Sequence, residues 1–282
     1  MFTVVLRIGF AVGLLSEALC AQEIMYVDGR APVGGDGSTW AQAFQYPQDA
    51  LRLAAPGTQI RIARGTYRPD RDAMHPDGTA DRAATFTIPD GVVVEGGYDG
   101  LGAPDPNARD ARRNQTILSG DIGVPGIRAD NSYHVVCATG VSAATALIGV
   151  TVVDGVADGT GNVGGGMWLN DANIVIRDCR FMRNESEYGG GAVFVLHGTP
   201  KIVGCEFLRN GTQGSGGALS IHFSNAVVQR CVFRDNYAGL NGGAMGNNDT
   251  ADPLILNCLF EGNETAAAGG AVLNRRNPLM VN

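Results

Sequence analysis

Cys205-Glu-Phe207-Leu-Arg-Asn210, followed by Gly216-Gly217-Ala218-Leu219, decides the fold, because the chain writes this pattern four times. The first copy is Cys179-Arg-Phe181-Met-Arg-Asn184 with Gly190-Gly191-Ala192-Val193. The third is Cys231-Val-Phe233-Arg-Asp-Asn236 with Gly242-Gly243-Ala244-Met245, and the fourth is Cys258-Leu-Phe260-Glu-Gly-Asn263 with Gly269-Gly270-Ala271-Val272. Successive cysteines stand 26, 26 and 27 residues apart, and the step from Asn to the first Gly is six residues in every copy. A degenerate copy precedes them, Val150-Thr-Val152-Val-Asp-Gly155 and then Gly165-Gly166-Met167-Trp168, with that gap lengthened to ten residues.

Within each copy the apolar residues alternate over short stretches, as at Ile176, Cys179 and Phe181, without a sustained 3.6-residue period. Some 26 residues supply two or three short strands and their turns, one coil of a solenoid, whereas a propeller blade needs ~40. Stacked coils pair each strand in parallel with its equivalent about 4.8 Å away. Three structural ladders follow: Cys179, Cys205, Cys231 and Cys258; Phe181, Phe207, Phe233 and Phe260; Asn184, Asn210, Asn236 and Asn263. A fourth runs through Ile176, Ile202, Val228 and Ile255. The usual right-handed crossover sets the hand. The expected fold is all-β, a right-handed single-stranded parallel β-helix (a solenoid) with a short N-terminal capping helix.

Asn suits a left-handed turn, and its amide can bond to the Asn one coil away. The Gly pair is expected to turn the chain without a Cβ penalty. Asn184, Asn210 and Asn263 begin glycosylation triplets, read as incidental because a ladder Asn is buried. The cysteines are expected to be buried free thiols, since side chains stacked in parallel rarely reach the disulfide torsion.

Residues 1–21 read as a signal peptide: Arg7, the apolar run Ile8 to Leu15, and small residues at Ala18-Leu-Cys20-Ala21. Leu19 fits a lipoprotein cleavage site poorly. Residues 22–115 are expected to form an N-terminal cap and the first irregular coils, with a helix over Pro47–Ala55 and charged excursions at 69–84 and 98–115. Residues 116–282 are the regular repeats. Leu279-Met-Val-Asn282 matches Leu254-Ile-Leu-Asn257 without the Cys that should follow, so a truncated C-terminus is expected.

Gly makes up 41 of 282 residues, about twice the usual ~7%. With 21 basic and 28 acidic residues the net charge is −7, and Lys201 is the single lysine. Nucleic-acid binding is therefore not expected. No stretch beyond the leader is long enough for a transmembrane span. The expected location is secreted or cell surface.

The paired Phe-x-x-Asn and Gly-Gly-Ala-[Ile/Leu/Val] repeats resemble the chlamydial polymorphic outer membrane proteins, which are surface β-helix adhesins. Tyr26-Val-Asp28, Gly35-Asp-Gly-Ser-Thr-Trp40, Gly65-Thr-Tyr67, Leu118-Ser-Gly-Asp121 and Asp130-Asn-Ser-Tyr-His134 resemble large secreted bacterial right-handed β-helix proteins of the pectin-lyase-like superfamily. The resemblance implies a non-catalytic adhesive, structural or polysaccharide-binding scaffold, a monomer whose partner is an extracellular polysaccharide or surface ligand. The alternative it implies is a pectate-lyase-like polysaccharide lyase acting on an acidic polysaccharide, and Ca²⁺ enters only with that alternative.

The motifs of such enzymes are missing: no Asn-Thr-Asp, Asp-Asp or Gly-His-Gly cluster, and no Trp-x-Asp-His or Arg-x-Pro-x-x-Arg. No catalytic, cofactor or metal residue is therefore assigned. The candidates are Asp178 and Arg230, at equivalent positions two coils apart, and Arg180, one coil from Glu206. Arg183, Arg209 and Asp235 form a further charged ladder. Such rows suit either a groove binding sugar carboxylates through bidentate Arg contacts or cross-coil ion pairing on a solvated face. His197 and His222 fall near one corner without a carboxylate, short of a metal site. Asp154-Gly-Val-Ala-Asp-Gly159 lacks the calcium nonapeptide and reads as turns.

Overall fold

In this computed structural model, residues 22–159, 162–248, 250–275 and 279–281 are described; the expected signal peptide lies outside them. One coil consists of Val175–Arg177, Arg180–Met182, Glu185–Ser186 and Val193–Leu196. The next repeats it as Lys201–Val203, Glu206–Leu208, Gly211–Thr212 and Leu219–His222. Four strands per coil exceed the expected two or three. The additional one, a dipeptide after each ladder Asn, is too short to show an apolar alternation.

Among the described residues these strands stack into four parallel sheets. A long sheet of nine strands begins at Ile24–Val27, and a Phe sheet of seven holds the phenylalanines. A third sheet also has seven strands, and the dipeptides form a ribbon of five. Ile176, Ile202, Val228 and Ile255 are in register, as are the four phenylalanines. The Phe rings stack at centroid distances of 5.2, 4.6 and 4.9 Å, within 8° of parallel. One apolar core runs continuously from Val27 to Cys258, so the N-terminal coils and the repeats share it.

The Asn ladder closes its own hydrogen bonding. Asn210 Oδ1 accepts from the backbone N–H and from Nδ2 of Asn184, both at 3.1 Å. Its own Nδ2 donates to Asn236 Oδ1 at 3.0 Å and to the Phe181 carbonyl at 2.9 Å. Asn236 repeats this with Asn263 and Phe207. The amide of a buried Asn is expensive unless both ends are satisfied, and here they are.

The turn chemistry differs from the expectation by one residue. The positive φ falls on Arg183 (56°), Arg209 (53°), Asp235 (55°) and Gly262 (61°), each just before the ladder Asn. Each Asn instead points inward, where its amide finds partners. The other corner, just before each ladder Cys, is also left-handed: Asp178 (54°), Gly204 (66°), Arg230 (52°) and Asn257 (50°). Asp178 and Arg230 are thus corner residues, not strand residues. In the Gly pair the first member carries the positive φ, 74° at Gly216. Gly217 has none; a Cβ there would collide with the carbonyls of Gly243 and Tyr237 on the next coil.

The ladder cysteines are buried free thiols. Cys205 Sγ lies 3.5 Å from the Val203 carbonyl and 3.7 Å from that of Ile176. Burial and its two thiol neighbours push Cys205 well above the ordinary thiol range.

The helix spans Pro47–Leu53 and drives Ala50 and Leu51 into the core. It packs against the first two strands as the expected cap, but a helix has no spare backbone groups along its side with which to bond the first strand's outer edge. The segment after Gly35 does so: Tyr26 N–H donates to the Gly37 carbonyl at 2.9 Å, and Phe44 exchanges bonds with Tyr26 and Asp28 at 2.9 and 2.8 Å.

Replacing Phe207, stacked on both sides, by Ala is expected to cost about 3–5 kcal/mol in urea unfolding, with less lost for the half-buried Phe260. The pH dependence follows from His134. Burial holds its pKa below the usual range, against the opposing pull of its contact with the Gly164 carbonyl. The folded state thus favours the neutral ring, so its contribution is full above about pH 6.5 and declines as acidification protonates the unfolded chain first. His134→Phe should flatten the acid limb of a stability–pH curve below that point.

Candidate functional site

Between the strands Val93–Tyr98 and Thr116–Ser119 the chain leaves the coil and forms an arm, residues 99–115. Tyr98 pairs antiparallel with Arg109 at its root. Asp99 and Gly100 donate to the carbonyls of Ala108 and Pro106 at 2.9 and 3.1 Å, and Asp110 donates to that of Gly97 at 2.8 Å. The folded-back arm carries Arg109, Asp110, Arg112 and Arg113 along the corner between the long sheet and the Phe sheet.

A cavity of about 230 Å³ opens between the arm and that corner. Arg109, Arg112 and Asp110 line it from the arm, and Asp178, Arg180 and Glu206 from the coils. Gly149 and Gly204, the corner residues on either side of Asp178, leave room for it. Arg180 Nε stands 3.0 Å from Glu206 Oε2, as the strand register demands, but off the line a hydrogen bond needs. Arg112 reaches the other Glu206 oxygen at 3.7 Å. Arg109 is pinned at the back, donating to the Gly96 carbonyl at 2.9 Å and lying 3.2 Å from Glu95. The Arg113 amide, and next that of Arg112, donate to the Asp110 carboxylate and hold it below the usual range. A second cavity of about 350 Å³ shares Arg109 and Asp110 and adds Arg64, Asp99 and Arg113.

Three of the four sequence candidates, Asp178, Arg180 and Glu206, therefore meet in one cavity; Arg230 lies on a later coil outside it. Arg109 and Arg112 escaped the sequence reading. The signal available was the charged run Arg109-Asp-Ala-Arg112-Arg113, but its loop has no repeat to place it beside coils two and three rungs away.

A family model described as the right-handed β-helix region matches residues 120–282. The chain belongs to this family. No curated protein and no solved structure matches it.

Several other charged positions of this right-handed β-helix protein are tied to one another. Arg183 grips Asp154 with two bonds of 2.8 and 2.9 Å, Arg128 pairs with Glu185, and Arg209 lies 3.9 Å from Asp235. Asp158 pairs with Arg82 at 2.6 Å, so the acidic run 154–159 spends both carboxylates on arginines. His222 contacts Ser220 Oγ at 3.1 Å and Asn248 Nδ2 at 3.3 Å; His197 stacks on Phe223. Among the described residues no helix is long and apolar enough to cross a membrane.

The Arg180–Glu206 pair is over a third exposed on both sides and contributes little to the fold. Arg180→Ala is expected to lower unfolding stability by under about 1 kcal/mol in a denaturant titration, leaving its role in the cavity separately measurable.

Proposed function

We propose that this protein is an exported, non-catalytic β-helix scaffold that binds an acidic polysaccharide in the cleft between the arm and the Phe-sheet corner. The observation that carries this reading is the meeting of Arg109, Arg112 and Arg180 around one cavity in a chain of net charge −7. A guanidinium fork matches a sugar carboxylate, and only Arg109 is held wholly from behind. The neighbouring cavity adds Arg64 and Arg113, beside Asp99 and Asp110, and so continues the row of guanidinium groups along an extended chain's path.

The ladders need no catalytic group to account for them, which favours a scaffold over a lyase. The leader-like residues 1–21 and the Phe-x-x-Asn and Gly-Gly-Ala pattern, similar to that of chlamydial surface proteins, support export to the cell surface. The acids in the cleft make binding dependent on ligand charge spacing, since the ligand must displace Glu206 from Arg180.

Labelled polygalacturonate should bind in a fluorescence-anisotropy titration, weaken as salt rises, and release no unsaturated product. Arg112→Ala and Arg180→Ala should each weaken binding about 5–10-fold, whereas Arg230→Ala should change it less than about twofold. Unchanged binding in both cleft variants excludes the cleft; unsaturated product that both variants abolish makes the protein a lyase.

A further inference from the structure

Asn107 lines neither cavity, yet it joins the arm to the N-terminal part of the chain. Trp40 Nε1 donates to Asn107 Oδ1 at 3.1 Å, and Arg61 donates to the same oxygen at 3.3 Å. Trp40 is 7% exposed, with its ring 4.8 Å from Tyr26 and 5.7 Å from Tyr98. Arg61 lies 5.5 Å over the Tyr98 ring and Arg109 6.0 Å from it, so the aromatic cluster touches both the holder and the held. The arm's base is gripped separately. The fully buried Asp28 accepts from Leu101 N–H at 2.8 Å and from Arg30, which in turn donates to the Asp99 carbonyl at 2.6 Å.

We infer that Asn107 is a positioning residue of the cleft, through which Trp40 and Arg61 hold Arg109 and Arg112 opposite the sheet corner. The inference rests on the cleft being the binding site proposed above. Beyond the bridge to Tyr98 and the backbone bonds to Gly97, Asp99 and Gly100, the tip of the arm pairs with no strand among the described residues, and side chains, Asn107 and Asp28 among them, tie it to the N-terminal coils. A loop left loose has to be ordered when ligand binds, at a cost in affinity; an indole fixed in a packed cluster removes that cost beforehand. What both donors require at position 107 is an oxygen acceptor. Asp satisfies that requirement and Ala does not.

The chain has two tryptophans, so Trp168→Phe leaves Trp40 as the reporter. In that background Asn107→Ala should weaken polygalacturonate binding about tenfold at an unchanged urea midpoint and shift Trp40 emission. Asn107→Asp should restore affinity and emission together, a rescue that a purely structural role in the loop does not produce. Asn107→Ala binding as tightly as its parent, while Arg112→Ala is impaired, overturns the inference and leaves the cleft standing. If Arg112→Ala also binds normally, the cleft itself falls and the inference with it.

Discussion

Everything in this molecule hangs on register between rungs, and the side-chain amides of the Asn ladder are what fix it. The amides of Asn210 and Asn236 each accept two bonds from the coil before and donate to two different coils, so a slip by one residue would leave several buried polar groups unpaired at these rungs. The Phe stack beside it is apolar and would tolerate sliding; the amides do not. Tight glycines at the corner then bring neighbouring backbones close enough for both ladders to form.

How much of this can be read from residues alone depends on whether a feature repeats. The Phe, Cys and Asn ladders were legible because the same residue recurs at one spacing, and stacking turns spacing into contact. The left-handed corners were assigned one residue too late. Arg183 and Arg209 have no intrinsic taste for positive φ, and the strands on either side impose it, so composition carried no trace. The arm was legible as an excursion but not as half of a cleft, because its partners Arg180 and Glu206 are two and three rungs along the axis. That distance belongs to the stack, not to the chain. Arg230 shows the converse: it shares a ladder with Asp178, yet ladder membership alone does not bring a residue beneath the arm.

Solenoids of this kind are quasi-one-dimensional, each rung sensing only its neighbours, and such stacks fray from their ends. The arm breaks that rule. It leaves at the rung of Thr116–Ser119, lies against Gly149 and touches Glu206, while its tip is tied to Trp40 near the start of the chain. Coils from the first strand to that of Thr116–Ser119 are thereby tied into one block, to which Arg112 adds only an exposed ion pair with Glu206. The coils beyond it lack this strap, and denaturation from that side meets a natural stopping point at the edge of the cleft. Melting can then proceed in two stages, with the region carrying the arm's arginines the last to lose its shape.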